Sequence, residues 1–301
     1  MAIEPGSQLE SKGVVKTVAD ILIDLKPTVT MIRQFAYDLS PEVADFGAKV
    51  RVPLMTAGAV EEYNDDNCST PGNYGNFAHV TGGLTQDYVE LGNPIKVTIP
   101  ITQTDRLEMP GDPFWTRCTE AGANAISKAI SQKIGSLFTA ENCQAGKITM
   151  AGVSTAAIAQ LRTKAAKKGR VSDYVVVLNG EYYADFLSVL PANVYGSTDP
   201  IQDGVVEKIY GFKSIICAED LPSGICGALV PASGVAVAGR GLAIPDPQAY
   251  TEFGTVSDEN GFAITAFRFT DFATAKCLFN VGAMVGAKLI RPADTYYISA
   301  S

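Results

Sequence analysis

The chain has 301 residues, of which 47% are hydrophobic, so it is long enough to bury a large core in one or two domains. Its 24 basic and 32 acidic residues give a net charge of −8, which argues against a dedicated nucleic-acid reader with a basic stripe. No apolar run reaches the roughly 18 residues of a membrane span, and the N-terminal residues lack the basic and apolar segments of a secretory signal.

The first 47 residues are predicted to form an arm that lies on another surface. A short helix is predicted over 14–25, and Pro27 ends it. Further prolines and glycines interrupt the rest of the segment, which leaves little regular structure there.

A two-stranded hairpin is predicted over 48–106. Its first strand contains Val50, Val52 and Leu54, and its return strand has apolar residues at every second position from Ile95 to Ile101. The connecting segment 64–83 is polar and rich in glycine. Because an isolated hairpin is at best marginally stable in water, this one needs a partner surface, for which another copy of the chain is one candidate.

A long helix is predicted over 113–138. Asp112 is suited to cap its first turn, and Pro113 fits the first helical position, where a missing N–H costs nothing. Apolar residues recur at helical spacing, and they are Trp115, Cys118, Ile126, Ile130, Ile134 and Leu137. Twenty-five residues would span roughly 37 Å, so this helix has the length of a strut.

An alternating α/β region follows, and the end of the chain is rich in β-structure. Ser154 and Asn179 are suited to cap two helices, and the apolar run Tyr174–Leu178 predicts a strand covered on both faces. An Asn260-Gly261 turn predicts a hairpin. The remaining predicted strands are 205–210, 212–218, 250–256, 262–269, 276–281, 284–290 and 296–298.

The residues that enzymes use for chemistry are scattered. His79 is the only histidine, and it lies in the Gly-rich segment, which offers no scaffold to hold a base or a zinc ligand. Ser154 follows Gly152 as in a nucleophile elbow, but the second glycine is missing, and a helix cap accounts for the serine. Asp65 and Asp66 lack the spacing of a calcium loop. We therefore predict no catalytic, cofactor-binding or metal-binding residue and no cofactor.

The six cysteines contain no CxxC pair, so buried, reduced thiols in a reducing cytoplasm are expected. One basic cluster is present, and it consists of Lys164, Lys167, Lys168 and Arg170. These residues close a predicted helix, where cations complement the helix dipole. A contact with another subunit or with DNA is the alternative interpretation.

The order of the elements resembles the major capsid protein of tailed bacteriophages of the Hong Kong 97 type. In that α+β fold an N-arm precedes an E-loop hairpin, a spine helix, an α/β axial (A) domain and the sheet of a peripheral (P) domain. Three stretches resemble the sequences of that family, and they are 205–222 (VVEKIYGFKSIICAEDLP), 236–243 (AVAGRGLA) and 282–294 (GAMVGAKLIRPAD). The resemblance covers nearly the whole chain.

The resemblance implies boundaries for each part of the chain. They are 1–47 for the N-arm, 48–106 for the E-loop, 107–146 with 246–301 for the P domain, and 147–245 for the A domain. It also implies that the hairpin lies across a neighbouring subunit. The contact residues predicted there are Ile95, Val97, Ile99 and Ile101, together with Tyr74 and Phe77 at the tip.

The resemblance further implies a function and partners. The chain would form hexamers and pentamers of an icosahedral virion shell that is assembled in the host cytoplasm and encloses double-stranded DNA without reading its sequence. A portal protein and a decoration protein are implied partners, and the short arm indicates that scaffolding is a separate protein. No lysine lies between Lys49 and Lys96, so a shell without the E-loop lysine cross-link is expected.

Two other functions are consistent with the sequence. An encapsulin-like compartment shares the fold but would enclose cargo enzymes, and it would need a groove that binds cargo. An α/β enzyme with a β appendage would need a cluster of titratable residues, and only scattered acids are present.

Overall fold

The computed structural model describes residues 19–25, 28, 32–43, 49–55, 84–101, 112–190, 205–218, 220–243, 252–257, 262–271 and 276–300. Within these ranges the chain forms two six-stranded sheets and one two-stranded hairpin. The longer helices are α1 (Asp112–Gly135), α2 (Thr155–Lys168) and α3 (Gly180–Val189), and residues 19–25 are also helical. The strands are β1 (Ala36–Asp38), β2 (Lys49–Met55), β3 (Leu84–Glu90), β4 (Ile95–Ile101), β5 (Gly146–Thr149), β6 (Tyr174–Leu178), β7 (Val205–Glu207), β8 (Ser214–Cys217), β9 (Gly227–Pro231), β10 (Val235–Gly241), β11 (Glu252–Ser257), β12 (Ala263–Asp271), β13 (Lys276–Leu289) and β14 (Tyr296–Ser299).

The first sheet is organised around β13. Its strand order is β1–β10–β13–β12–β11, and β4 also pairs with β13 in antiparallel register. The sequence predicts two strands, 276–281 and 284–290, where the structure has one strand of 14 residues. Gly282 lies inside this strand and does not end it. A Cβ atom there would lie 2.4 Å from the carbonyl oxygen of Ile95. The glycine instead allows the backbone of β4 to approach closely.

The second sheet has the order β5–β14–β9–β6–β8–β7. The last strand of the chain, β14, therefore lies inside this sheet, parallel to β5 and antiparallel to β9. Conversely, β10 belongs to the first sheet, although the boundaries drawn from the sequence place it in the axial region 147–245. Each sheet thus contains a strand from the other side of those boundaries, β10 in the first sheet and β14 in the second.

The largest core cluster joins α1 to both sheets. From α1 it contains Ile126, Ile130 and Ile134, all of which are buried. The first sheet contributes residues such as Phe279, and the second sheet contributes Val175 and other side chains of β6, β8 and β9. The apolar stripe predicted for the long helix is thus confirmed from Cys118 onward, where side chains of α1 are described. The helix ends at Gly135 rather than at residue 138, and beyond it the N–H groups of Leu137 and Phe138 bond three residues back instead of four. A Cβ atom at Gly135 would lie 2.1 Å from the carbonyl oxygen of Asp220, so a glycine is needed there.

A second cluster lies on the other face of the second sheet, beneath α2 and α3. Leu161 of α2 and Phe186 of α3 pack there against Val176. Because Val175 and Val177 face the largest cluster instead, β6 is buried on both faces, as its continuous apolar run predicts. Both predicted helix caps are confirmed. Ser154 Oγ accepts a hydrogen bond from the N–H of Ala157 at 3.2 Å, and Asn179 Oδ1 accepts one from the N–H of Tyr182 at 3.0 Å.

Candidate assembly surfaces

The hairpin of this structure pairs different strands from those that the sequence predicts. β2 pairs with β3 in antiparallel register from Lys49 opposite Glu90 to Met55 opposite Leu84. The predicted return strand, β4, is instead part of the first sheet. β4 follows the alternating pattern of a half-buried strand and β3 (LTQDYVE) does not, but the pattern does not specify which strand pairs with which.

The base of the hairpin packs on its own subunit. Val50, Val52 and Val89 are 5%, 2% and 0% exposed. They form a small cluster with Leu39, Leu91 and alanines of β10. These alanines alternate along β10 with the residues that face the largest cluster, so they lie on the opposite face of the strand. The hairpin therefore projects from a base that the subunit itself stabilises.

Ion pairs border this base. Lys49 and Glu90 lie opposite each other with their charged atoms 2.5 Å apart, and both side chains are more than half exposed. The hydrogen bond from Lys49 lowers the pKa of Glu90 below its usual range, and the same contact raises the pKa of Lys49. Because this pair is exposed to solvent, it contributes little to stability.

A second ion pair joins Asp87 of β3 to Lys288 of β13. Partial burial alone would raise the pKa of Asp87. The hydrogen bonds from Lys288 and from the backbone N–H of Tyr88 outweigh burial and lower the pKa of Asp87. This pair links the hairpin directly to the first sheet.

The contact residues predicted on β4 pack on their own subunit. Ile101 is buried within the largest core cluster, and the other three, Ile95, Val97 and Ile99, are partly buried against it. β13 supplies one partner for β4, but Ile95, Val97 and Ile99 stay partly exposed, so their contact with a neighbouring copy remains a prediction. Tyr74, Phe77, His79 and the Asp65-Asp66 pair lie outside the described residues.

The loop between the hairpin and β4 contacts the end of α1 through Lys133. The ammonium group of Lys133 donates a hydrogen bond to the carbonyl oxygen of Val285, and burial lowers the pKa of this lysine. Gly92 provides the space, because a Cβ atom there would lie 2.4 Å from Lys133 Nζ. Helix, loop and β13 are thus held together beside the base of the hairpin.

Large apolar side chains are exposed on other elements of the subunit. Phe253 is 49% exposed on β11, which is the last strand of the first sheet and pairs only with β12 among the described strands. Tyr88 is 45% and Tyr37 49% exposed, and Ile23 of the N-terminal helical segment is 64% exposed. Sequence reasoning did not select these residues, because their exposure depends on how the strands and the helical segment pack in the tertiary structure.

Within the described residues, no group of three or more His, Cys, Asp or Glu side chains is placed to hold a metal ion. Two buried side chains that could act as nucleophiles have raised pKa values. Burial raises the pKa of Cys143 to about 11 and that of Tyr183 to about 12. Both groups therefore stay protonated at neutral pH.

The described part of the chain contains no helix whose length and apolar character would suit a membrane crossing.

The chain has a mixed α+β fold that matches capsid structures over most of its length. The similar structures include a chain of Mycobacterium phage Che8, at 16% identity with a TM-score of 0.51, covering 88% of this chain and 89% of that one. The capsid of the cyanophage P-SCSP1u is 12% identical with a TM-score of 0.53, covering 90% of this chain and 88% of the other.

The virus-like particle from Pyrococcus furiosus is also similar, at 12% identity with a TM-score of 0.53, and the match covers 94% of this chain and 98% of that one. No family model matches the sequence, and no curated protein matches it either. At these identities the likeness defines the fold, and the function is inferred below.

Proposed function

We propose that this chain is the major capsid protein of a tailed bacteriophage of the Hong Kong 97 type. It assembles as hexamers and pentamers into an icosahedral virion shell around double-stranded DNA. Assembly takes place in the host cytoplasm, with a separate scaffolding protein, a portal protein and a decoration protein as partners. The proposal rests mainly on the match of the fold to capsid structures over 88% to 94% of the chain.

The hairpin supports the same proposal. Residues 56–83 connect β2 to β3, whereas hairpin loops commonly have about 2–5 residues. A segment of that length on a base anchored by its own subunit is suited to reach a neighbouring copy. We place Tyr74 and Phe77 of this connection, with the partly exposed Ile95, Val97 and Ile99 of β4, among the contacts between copies, whereas Ile101 is buried in the core of the subunit. Because the segment between Lys49 and Lys96 contains no lysine, the hairpin contacts are non-covalent.

The test replaces residues 56–83 by Asn-Gly. Met55 and Leu84 lie opposite each other in the register, so a two-residue turn can close the shortened hairpin. We expect the shortened subunit to fold with an unchanged urea midpoint, because the cluster under the hairpin base is retained. Electron microscopy and sedimentation should show shells for the full chain and no shells, or fragile ones, for the shortened chain.

Two outcomes would contradict the proposal. The first is a full-length protein that stays a monomer at all concentrations, with or without scaffolding protein. The second is a shortened chain that forms shells as stable to heat as those of the full chain, which would remove the hairpin from the assembly contacts.

A cargo compartment is the second candidate, because one of the similar structures is a virus-like particle rather than a phage capsid, and the match covers 94% of this chain and 98% of that one. The contents of particles isolated from their natural source separate the two functions. Nuclease-protected double-stranded DNA supports the virion shell, whereas one enriched protein and no DNA supports the compartment.

A further inference from the structure

A basic surface lies at the C-terminal end of α2. From Asn142 to Ser172 the sequence contains six Lys or Arg residues and no Asp or Glu, although acidic residues outnumber basic ones by 32 to 24 in the whole chain. Five of these six residues fall within 162–170. A local excess of positive charge in an acidic protein indicates a surface that meets negative charge.

The packing of α2 directs these cations outward. Leu161 and Ala165 are buried under the helix and fix its apolar side on the second sheet. Arg162 and Lys167 are exposed on other sides of the helix, and Lys168 is exposed in its last turn, beyond the buried residues. The ammonium group of Lys164 lies 5.9 Å from the centroid of the Tyr296 ring, which holds that side chain over the sheet.

The turn between β7 and β8 adds a cation from a distant part of the sequence. A Cβ atom built at Gly211 of this turn would lie 3.7 Å from the guanidinium of Arg162 and 3.7 Å from Val171, so the turn lies against α2 and the residues after it. The turn contains Lys208, which is exposed and has a φ of 53°. A left-handed conformation is rare for lysine, and a hydrogen bond of 2.9 Å from its N–H to the carbonyl oxygen of Lys213 holds it there.

Six side chains define what we term the α2 basic surface, and they are Arg162, Lys164, Lys167, Lys168, Arg170 and Lys208. None of them makes an ion pair with another residue of the described part of the chain. The dipole of α2 accounts for Lys167 and Lys168 in its last turn. It does not account for Arg162, which lies a full turn before them, or for Lys208, which belongs to another segment.

We propose that the α2 basic surface binds the phosphate backbone of the enclosed DNA without reading its base sequence, an inference that rests on the proposed function. Duplex DNA carries one negative charge per about 1.7 Å of its axis, so one stretch of backbone meets several of these cations at once. A second copy of this acidic chain would offer carboxylates instead of phosphates, and competition by polyglutamate separates these two occupants.

The test neutralises three cations in the full chain, as K167Q/K168Q/R170Q. A fluorescent 20-base-pair duplex is titrated with unassembled protein, and the binding constant is measured by anisotropy between 50 and 200 mM salt. Each lost phosphate contact reduces the slope of log K against log salt by about 0.9. Three lost contacts should therefore weaken the salt dependence between these two concentrations by roughly 40-fold.

The matched control changes the same net charge elsewhere. Lys96, Lys128 and Lys276 are exposed on β4, α1 and β13, and K96Q/K128Q/K276Q removes three positive charges away from α2. We expect the control to keep the wild-type slope. Equal slopes for the variant and the control would overturn the proposal, because net charge alone would then account for binding.

Polyglutamate of equal charge tests the source of the negative charge. If it competes as well as the duplex does, the surface recognises an acidic protein partner, and the proposal is wrong. The assembly state separates this inference from the proposed function. Failure of wild-type protein to form shells would sink the proposed function, whereas a shell-forming variant that keeps the wild-type salt slope would sink this inference alone.

Discussion

β2 of the hairpin and β4 of the first sheet have the same pattern in the sequence but different roles in the subunit. Val50 and Val52 alternate with polar residues as Ile95, Val97 and Ile99 do. The β4 residues pack on the largest core, which includes α1 and both sheets, whereas the hairpin covers a small cluster bordered by ion pairs. An alternating pattern in the sequence therefore predicts that a strand is half buried. How firmly the strand is held depends on the size of the core beneath it.

The largest effect is expected in the β4–β13 pair. Phe279 is fully buried and lies opposite Ile99, so Phe279→Ala leaves a cavity in the core shared by the sheets and α1. We expect the free energy of unfolding to fall by about 3–5 kcal/mol, measured by urea denaturation. Phe253→Ala is the control, because Phe253 is 49% exposed and its loss should change subunit stability little. Equal effects of the two substitutions would contradict the assignment of the core.

A smaller effect is expected at the base of the hairpin. Val52 is 2% exposed, and Val52→Ala removes two buried carbon atoms from the small cluster. We expect a loss of about 1–2 kcal/mol. Amide exchange should accelerate in β2 and β3 and stay slow in β13, because the hairpin can open while the first sheet remains folded. Uniform acceleration across all three strands would show that the hairpin and the sheet unfold together.

The smallest effect is expected from the ion pairs beside the hairpin. The pKa values of Asp87 and Glu90 lie below their ordinary values of 3.8 and 4.5. Their contribution to stability is therefore fully present above these values and is lost as the pH falls through the lowered ones. Protection of the β2–β3 amides should decrease below about pH 4, while that of β13 holds. D87N/E90Q should already show slightly reduced protection at pH 6 and little further change on acidification.

The elements that sequence reasoning predicted best are those with local chemistry. The caps at Ser154 and Asn179 and the doubly buried strand Tyr174–Leu178 are confirmed, because each depends on residues within a few positions of one another. The end of α1 was predicted three residues too late. At that end Gly135 meets the backbone of Asp220, 85 positions away in the chain, and local sequence does not indicate such a contact.

The candidate assembly surfaces also combine features that the sequence indicates with features that it does not indicate. The sequence indicates a long connection in the hairpin and a basic cluster at the end of α2, because both are properties of neighbouring residues. It does not indicate that Phe253 lies on an edge strand or that Lys208 joins the α2 basic surface. Edges and surfaces that combine distant segments exist only once the strands have paired.

The sequence by itself determined the helices, their caps, the strand periodicity and the order of elements that resembles a capsid protein. Only the tertiary structure decided that β3 and not β4 pairs with β2, that β14 belongs to the second sheet, and that β10 belongs to the first. The physical reason is that periodicity reports how deeply a strand is buried. Which strand it pairs with depends on contacts between residues that lie far apart in the chain.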